Sequence, residues 1–226
     1  MDAADVDLTL SEAETALARS GKVDLARIGF WKTVAATKRD RRLAEHYAER
    51  IAQIDRLAFE RSVKLRVPAS IGVMIDLAAT AVGVLLAALA SGVASPAREI
   101  VFLVGVAAIL GATHTLAHWV VGSVSGIRFT HWFSTPPLRP QPGLKVDYAS
   151  YLKATPRRRA WMHASGAIVT KIVPFAAVPF AVRAGLEPWA IWALLGIGVL
   201  QLITDATLST RTGDWKKFRR EMRFTR

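Results

Sequence analysis

The chain has 226 residues, 52% of them hydrophobic, no cysteine, and a formal net charge of +12. Without cysteine it has neither a disulfide framework nor thiolate chemistry. A basic balance suits nucleic acid or a membrane surface. The mean hydropathy of +0.27, and charges that flank long apolar runs, favour the membrane and argue against a nucleic-acid partner.

Residues 1–66 hold 13 Lys and Arg against 11 Asp and Glu, the balance of a water-facing segment. They read as about three short amphipathic helices. Thr9 and Glu12 have capping-box spacing, Leu10, Ala13 and Leu17 form an apolar row, and Gly21 is placed as a stop. Val23, Ala26, Phe30 and Val34 continue helical spacing in a second helix. Asp40 is placed to cap a third, with Leu43, Tyr47, Ile51, Ile54 and Ala58 on one face. The segment reads as a packed cytoplasmic helical domain, with a single helical-repeat unit as the alternative. The first 20 residues are acidic and lack an apolar stretch, so no signal peptide is expected.

Four apolar stretches follow. Residues 67–90 contain one charge, Asp76; residues 100–121 contain none, only two histidines; residues 161–182 contain His163 and Lys171. Residues 189–203 run into Asp205 and need 204–208 for full length. A span takes about 20 apolar residues to cross a hydrocarbon core ~30 Å thick. The expectation is an all-α integral membrane protein: a helical domain at 1–66, about four transmembrane helices within 67–210, and a basic tail at 211–226. Residues 122–160 form a loop on the side of both termini. That loop and the tail are rich in Lys and Arg, whereas the opposite side has only Arg98 and Arg183, so loop and termini are assigned to the cytoplasm. Trp119, Trp132, Trp161, Trp189, Trp192 and Trp215 fall near span ends, as interfacial aromatics do. In the loop, "SGIRFTHWF" has β character and reads as a short hairpin at the membrane surface, with the remainder extended. The tail "TGDWKKFRREMRFTR" is expected to contact anionic headgroups.

The chemistry concentrates in "ATHTLAHWVV". His114 and His118 are four apart and project from one helix face. Gly111 and Gly122 continue that stripe, which implies close backbone approach within a bundle. Ionisable groups inside a membrane are expensive and point to function. Asp76, His114, His118, His163 and Asp205 all fall in the cytoplasmic half of their spans. Two imidazoles and a carboxylate leave a fourth position open, the pattern of catalytic zinc; iron(II) or another divalent metal is equally served. Other readings stay open: histidines that only hydrogen-bond between helices, an Asp76–Lys171 pair, Asp205 as a cap, or His118 and His163 as axial ligands of a b-type haem. Five histidines are too few for a histidine-box diiron site. His131 reads as structural and His46 as solvated.

The order of parts resembles the M50 intramembrane metalloproteases, the site-2 protease family, over about residues 100–210. His114 and His118 match the family's His-x-x-x-His helix. "RRRAWMHASGAIVTK" is similar to its next polar-led helix, with Gly166 on the family glycine, Ala167 in place of its proline and Thr170 near its asparagine. The 122–160 loop matches the family's loop of short strands. The resemblance implies zinc held by His114, His118 and Asp205, and a peptide or lipid-like substrate embedded in the membrane. It also marks two departures. Thr115 stands where the family has its glutamate base, and Asp205 is followed by Ala206 where the family has glycine. A proton acceptor would then come from elsewhere, Asp76 or His163. Without one, the chain would be a pseudoprotease that binds membrane partners, or a metal-free scaffold.

Overall fold

The computed structural model describes residues 1–19, 23–135, 139–209 and 213–225. Three helices lead: α1 (Ala3–Arg19), α2 (Phe30–Thr37) and α3 (Arg41–Ser62). α1 starts earlier than the Thr9–Glu12 spacing suggests. Asp2 and Asp5 accept each other's backbone N–H, at 3.2 and 2.9 Å, and Thr9 lies inside the helix with its hydroxyl on the Asp5 carbonyl. Residues 24–29 form turns rather than helix. The Asp24 carboxylate takes the Ala26 N–H at 2.9 Å, and Gly29, at φ +86°, adopts the left-handed turn that starts α2. Asp40 caps α3 as expected, accepting from Arg42 and Leu43. Gly21, the expected stop of α1, lies outside the described residues.

Four long helices follow: α4 (Ala69–Leu89), α5 (Ala97–Val124), α7 (Pro156–Arg183) and α8 (Pro188–Thr204), the last extended by a π-helical turn, Asp205–Ser209. Each is long and apolar enough to cross a membrane. Large apolar side chains such as Ile75, Leu85, Val104, Ile172 and Leu200 point outward. Such a belt is stable against hydrocarbon, not water. The chain is a multi-pass, mainly α-helical membrane protein. Its spans pack in the order α4–α5–α7–α8. Gly105 lets α5 meet α4: a Cβ there would lie 2.6 Å from the Gly83 carbonyl oxygen.

The starts of α4 and α7 and the ends of α5 and α8 share one side of the bundle, where the remaining elements gather. β1 (Arg66–Pro68), β2 (Phe129–Thr135) and β3 (Arg139–Val146) make one antiparallel sheet in the order β1-β2-β3. Trp132 pairs with Val67 on one side and Leu144 on the other. "SGIRFTHWF" therefore supplies one strand rather than a self-contained hairpin, and residues 139–146 pair with it rather than being merely extended. Trp132 sits on Gly72 of α4, where a Cβ would fall 2.0 Å from its own. α6 (Tyr148–Lys153) then returns the chain to the N-terminal helices: Leu152 enters the core of Val6, Leu10, Phe30, Ile51 and Ile54. The tail is not a free basic strand. It forms α9 (Asp214–Met222), packed on α7 with Phe218 edge-on to Trp161, centroids 5.5 Å apart.

Candidate metal centre

His114 and His118 lie on α5, the span that packs against both α4 and α7. Their Nε2 atoms are 3.3 Å apart. The third group is Asp214, not Asp205. Asp214 Oδ2 lies 3.4 Å from His114 Nε2 and 3.3 Å from His118 Nε2. One donor atom from each residue thus closes a nearly equilateral triangle, the only such group of metal-ligating side chains among the described residues. Asp205 is taken elsewhere: its carboxylate pairs with Lys171 and accepts the Trp215 indole N–H at 2.7 Å. Both neighbours satisfy Asp205 before it can turn to the histidines, and the intramembrane partner of Lys171 is Asp205 rather than Asp76.

Neighbouring atoms fix the rings. His118 Nδ1 donates to the Met162 carbonyl at 2.6 Å, so its Nε2 presents a lone pair to the triangle. Gly166 makes room for both imidazoles: a Cβ there would meet His118 Nε2 at 2.5 Å and His114 Cε1 at 2.9 Å. Nδ1 of His114 is buried and makes no hydrogen bond. Lys217 Nζ holds the other oxygen of Asp214 at 2.9 Å.

Asp214 is placed by its own helix. Glu221, fully buried, receives Lys38 Nζ at 2.6 Å and Arg159 Nε at 2.7 Å. Burial opposes its ionisation, but the two cations lower its carboxyl to about 2. Burial likewise pushes Lys38 down to about 8, against the pull of Glu221. Lys38 ends α2 and lies 4.8 Å from the centroid of the Tyr151 ring. The N-terminal helices, α7 and α9 are thereby joined in one buried cluster.

The triangle opens onto a cavity of about 1060 Å³, walled by His163, Lys171 and Gln201 and by Phe129, Phe133 and Leu144 of the sheet. His163 lines it, with Nε2 2.8 Å from the Tyr151 hydroxyl. Asp76 does not. It is 3% exposed, accepts the Trp132 indole N–H at 3.1 Å and is hydrogen-bonded by Thr115. Position 115 therefore faces α4 and Asp76 rather than the cavity. The two haem-ligand candidates use their rings differently, His118 on Met162 and the triangle, His163 on Tyr151. His131 packs on Phe59 as a structural residue, and His46 is exposed.

Fold and site together define a multi-pass membrane protein with a possible two-histidine, one-aspartate metal site. No protein-family model, no curated protein and no solved structure matches the chain.

The sequence signal for Asp214 is weak but real. In a tail of basic residues, Asp214 and Glu221 are the only acids, spaced seven apart. That spacing puts both on one helix face, and both are drawn into the protein.

Proposed function

We propose that this is a membrane-embedded metal protein, organised like the site-2 proteases, that holds zinc or another divalent ion on His114, His118 and Asp214. One observation carries the reading: the donor atoms are 3.3–3.4 Å apart along every edge. Ligand bonds of about 2.0–2.2 Å at tetrahedral angles put donors about 3.3–3.5 Å apart. The donor set also suits a cation: in neutral His118 with Nδ1 protonated, His118 Nε2 and the Asp214 oxygen are both acceptors. The ion's chemistry would be to polarise a bound oxygen and make a bound water more acidic.

The cavity beside the triangle takes the substrate, a membrane-embedded peptide or lipid-like molecule, between the aromatic face of the sheet and α7. Proteolysis by the family's route lacks its base, because Thr115 faces Asp76. His163 is the proton acceptor of any hydrolysis that remains, since it lines the cavity and Asp205 is committed to Lys171. If His163 serves no such role, the chain binds its substrate without cutting it. The Lys and Arg asymmetry supports termini in the cytoplasm.

The test is metal content by mass spectrometry on detergent-purified protein. Wild type and Asp205→Asn should carry about one metal per chain, and His114→Ala/His118→Ala and Asp214→Asn should lose it. Folded wild type without metal would sink the reading. Loss in Asp205→Asn with retention in Asp214→Asn would return the third ligand to position 205.

A further inference from the structure

A second groove, of about 430 Å³, opens to the outside of the bundle between α7, α8 and α9. Ile168 and Ile172 form one wall, Leu202 and Ala206 the other, each pair one helical turn apart along its span. Trp215 closes the end nearest α9. The polar pair inside, Lys171 and Asp205, is mutually neutralised, and the Trp215 indole N–H is bonded to the same carboxylate. The uncompensated charge is at the rim: Arg219 is exposed and makes no ion pair among the described residues.

Arg219 is part of a pattern. Lys216, Arg219, Arg220 and Arg223 are all exposed, at positions i, i+3, i+4 and i+7 of the C-terminal segment. Arg220 alone reaches a carboxylate, Glu221 at 3.4 Å, which Lys38 and Arg159 already share. Arg157 and Arg158, also exposed, add to the cationic surface at the start of α7. This surface lies where α7 begins and α8 ends, at the edge of the apolar belt, beside the half-exposed Trp161.

An apolar slot along two spans, topped by a free guanidinium at the membrane boundary, matches an anionic amphiphile with its chain in hydrocarbon. We propose that this groove binds an anionic phospholipid, with an acyl chain between the Ile168–Ile172 and Leu202–Ala206 rows and the phosphate on Arg219. An acidic peptide or nucleic acid would satisfy the cations and leave the slot empty. The inference does not depend on the metal. It does touch the site, because α9 begins with Asp214 and an occupied groove would hold that helix against α7 and α8.

The experiment uses the full chain in nanodiscs of phosphatidylcholine alone or mixed with phosphatidylglycerol. Amide exchange across 214–222 should slow by about fivefold or more in the mixed discs. Arg219→Gln should remove most of that protection, and native mass spectrometry should show the retained phosphatidylglycerol lost in the same variant. Arg183→Gln, at the other end of α7, should change neither. Equal exchange in the two lipids, or protection that survives Arg219→Gln, would overturn the proposal. Protection in neutral discs from soluble glycerol phosphate would overturn it too, by making the ligand a free phosphate.

Discussion

Asp214 and Glu221 stand seven residues apart on α9, and each leads into a buried polar cluster of a different kind. Glu221 is one anion between two cations, Lys38 and Arg159, each within 2.7 Å. Its charge is answered by the protein. Asp214 meets two imidazole nitrogens at 3.3 and 3.4 Å, with one of the rings locked as an acceptor. Those distances are long for direct hydrogen bonds and right for donors around a common ion. The first cluster pairs its charges within the protein, with only Arg159 Nη2 left without a hydrogen bond, and fixes the helix; in the second, three donor atoms converge on one point. A buried polar group implies function when its partners do not satisfy one another, and burial alone does not distinguish the cases.

The sharpest way to break the comparison is to remove the shared anion of the complete cluster. Glu221→Ala leaves Lys38 and Arg159 buried and unpaired, and loss of one partner of a buried ion network costs about 3–5 kcal/mol. The exposed pair Arg41–Glu45 is the reference, at 2.8 Å with side chains 92% and 58% accessible. Glu45→Ala should fall within about 0.5 kcal/mol of wild type. Unfolding in detergent, followed by helical signal against temperature or denaturant, reads both. Equal losses in the two variants would mean that the Glu221 cluster is solvated and does not place α9.

The two clusters also differ in how far the sequence announces them. The spans are legible because twenty-residue apolar runs have few other uses, and His114–His118 is legible because four-residue spacing on one helix is local geometry. Gly166 stood out only through its match to the family glycine, and it does lie under both rings. The third donor was not legible in the same way. Both Asp205 and Asp214 are acidic and near a span end, and depth along a span cannot choose between them. The choice depends on Lys171 and Trp215, which occupy Asp205, and on the Lys38–Glu221–Arg159 clamp, which brings α9 back onto α7. Those contacts join positions up to 183 residues apart, and no local pattern encodes them. Asp76 lies apart from the triangle for a related reason. Its helical position suits a shared site, but its side chain is claimed by Trp132 from the sheet, and strand pairing set that partner.

Acid sharpens the comparison at the same carboxylate. Glu221 falls from 4.5 to about 2 on folding. A lowered carboxyl stabilises the fold fully above its unfolded pKa, and that contribution is lost as pH falls through the folded value. The window is therefore pH 4.5 down to about 2, and the shift corresponds to about 3 kcal/mol. Other groups titrate there, Asp214 among them, so the quantity to measure is the difference between wild type and Glu221→Gln. That difference should be flat above the window and shrink by about 3 kcal/mol across it. A pH-independent difference would mean that Glu221 is protonated in the fold and that the cluster carries no net anion.

The smallest change probes the histidine–aspartate triangle. Gly166→Ala adds one methyl group, placed 2.5 Å from His118 Nε2 and 2.9 Å from His114 Cε1. The helix backbone cannot yield, so the rings must. Overpacking of this size costs about 1–3 kcal/mol of stability. The diagnostic part is metal affinity. If the rings are ligands, turning them away from the triangle should weaken metal binding by about 10–100-fold, as displaced supporting groups do in other metal sites. If the histidines only hydrogen-bond between helices, the methyl group should lower stability and leave metal content unchanged from wild type. Ala164, buried on the same helix, provides the matched control: Ala164→Gly removes a methyl group without approaching either ring and should lower stability by about 1 kcal/mol, as glycine does in a helix interior, while metal affinity stays at the wild-type value. A fall in affinity in Gly166→Ala alone then reports the imidazoles, since both variants disturb α7 and only one disturbs the triangle.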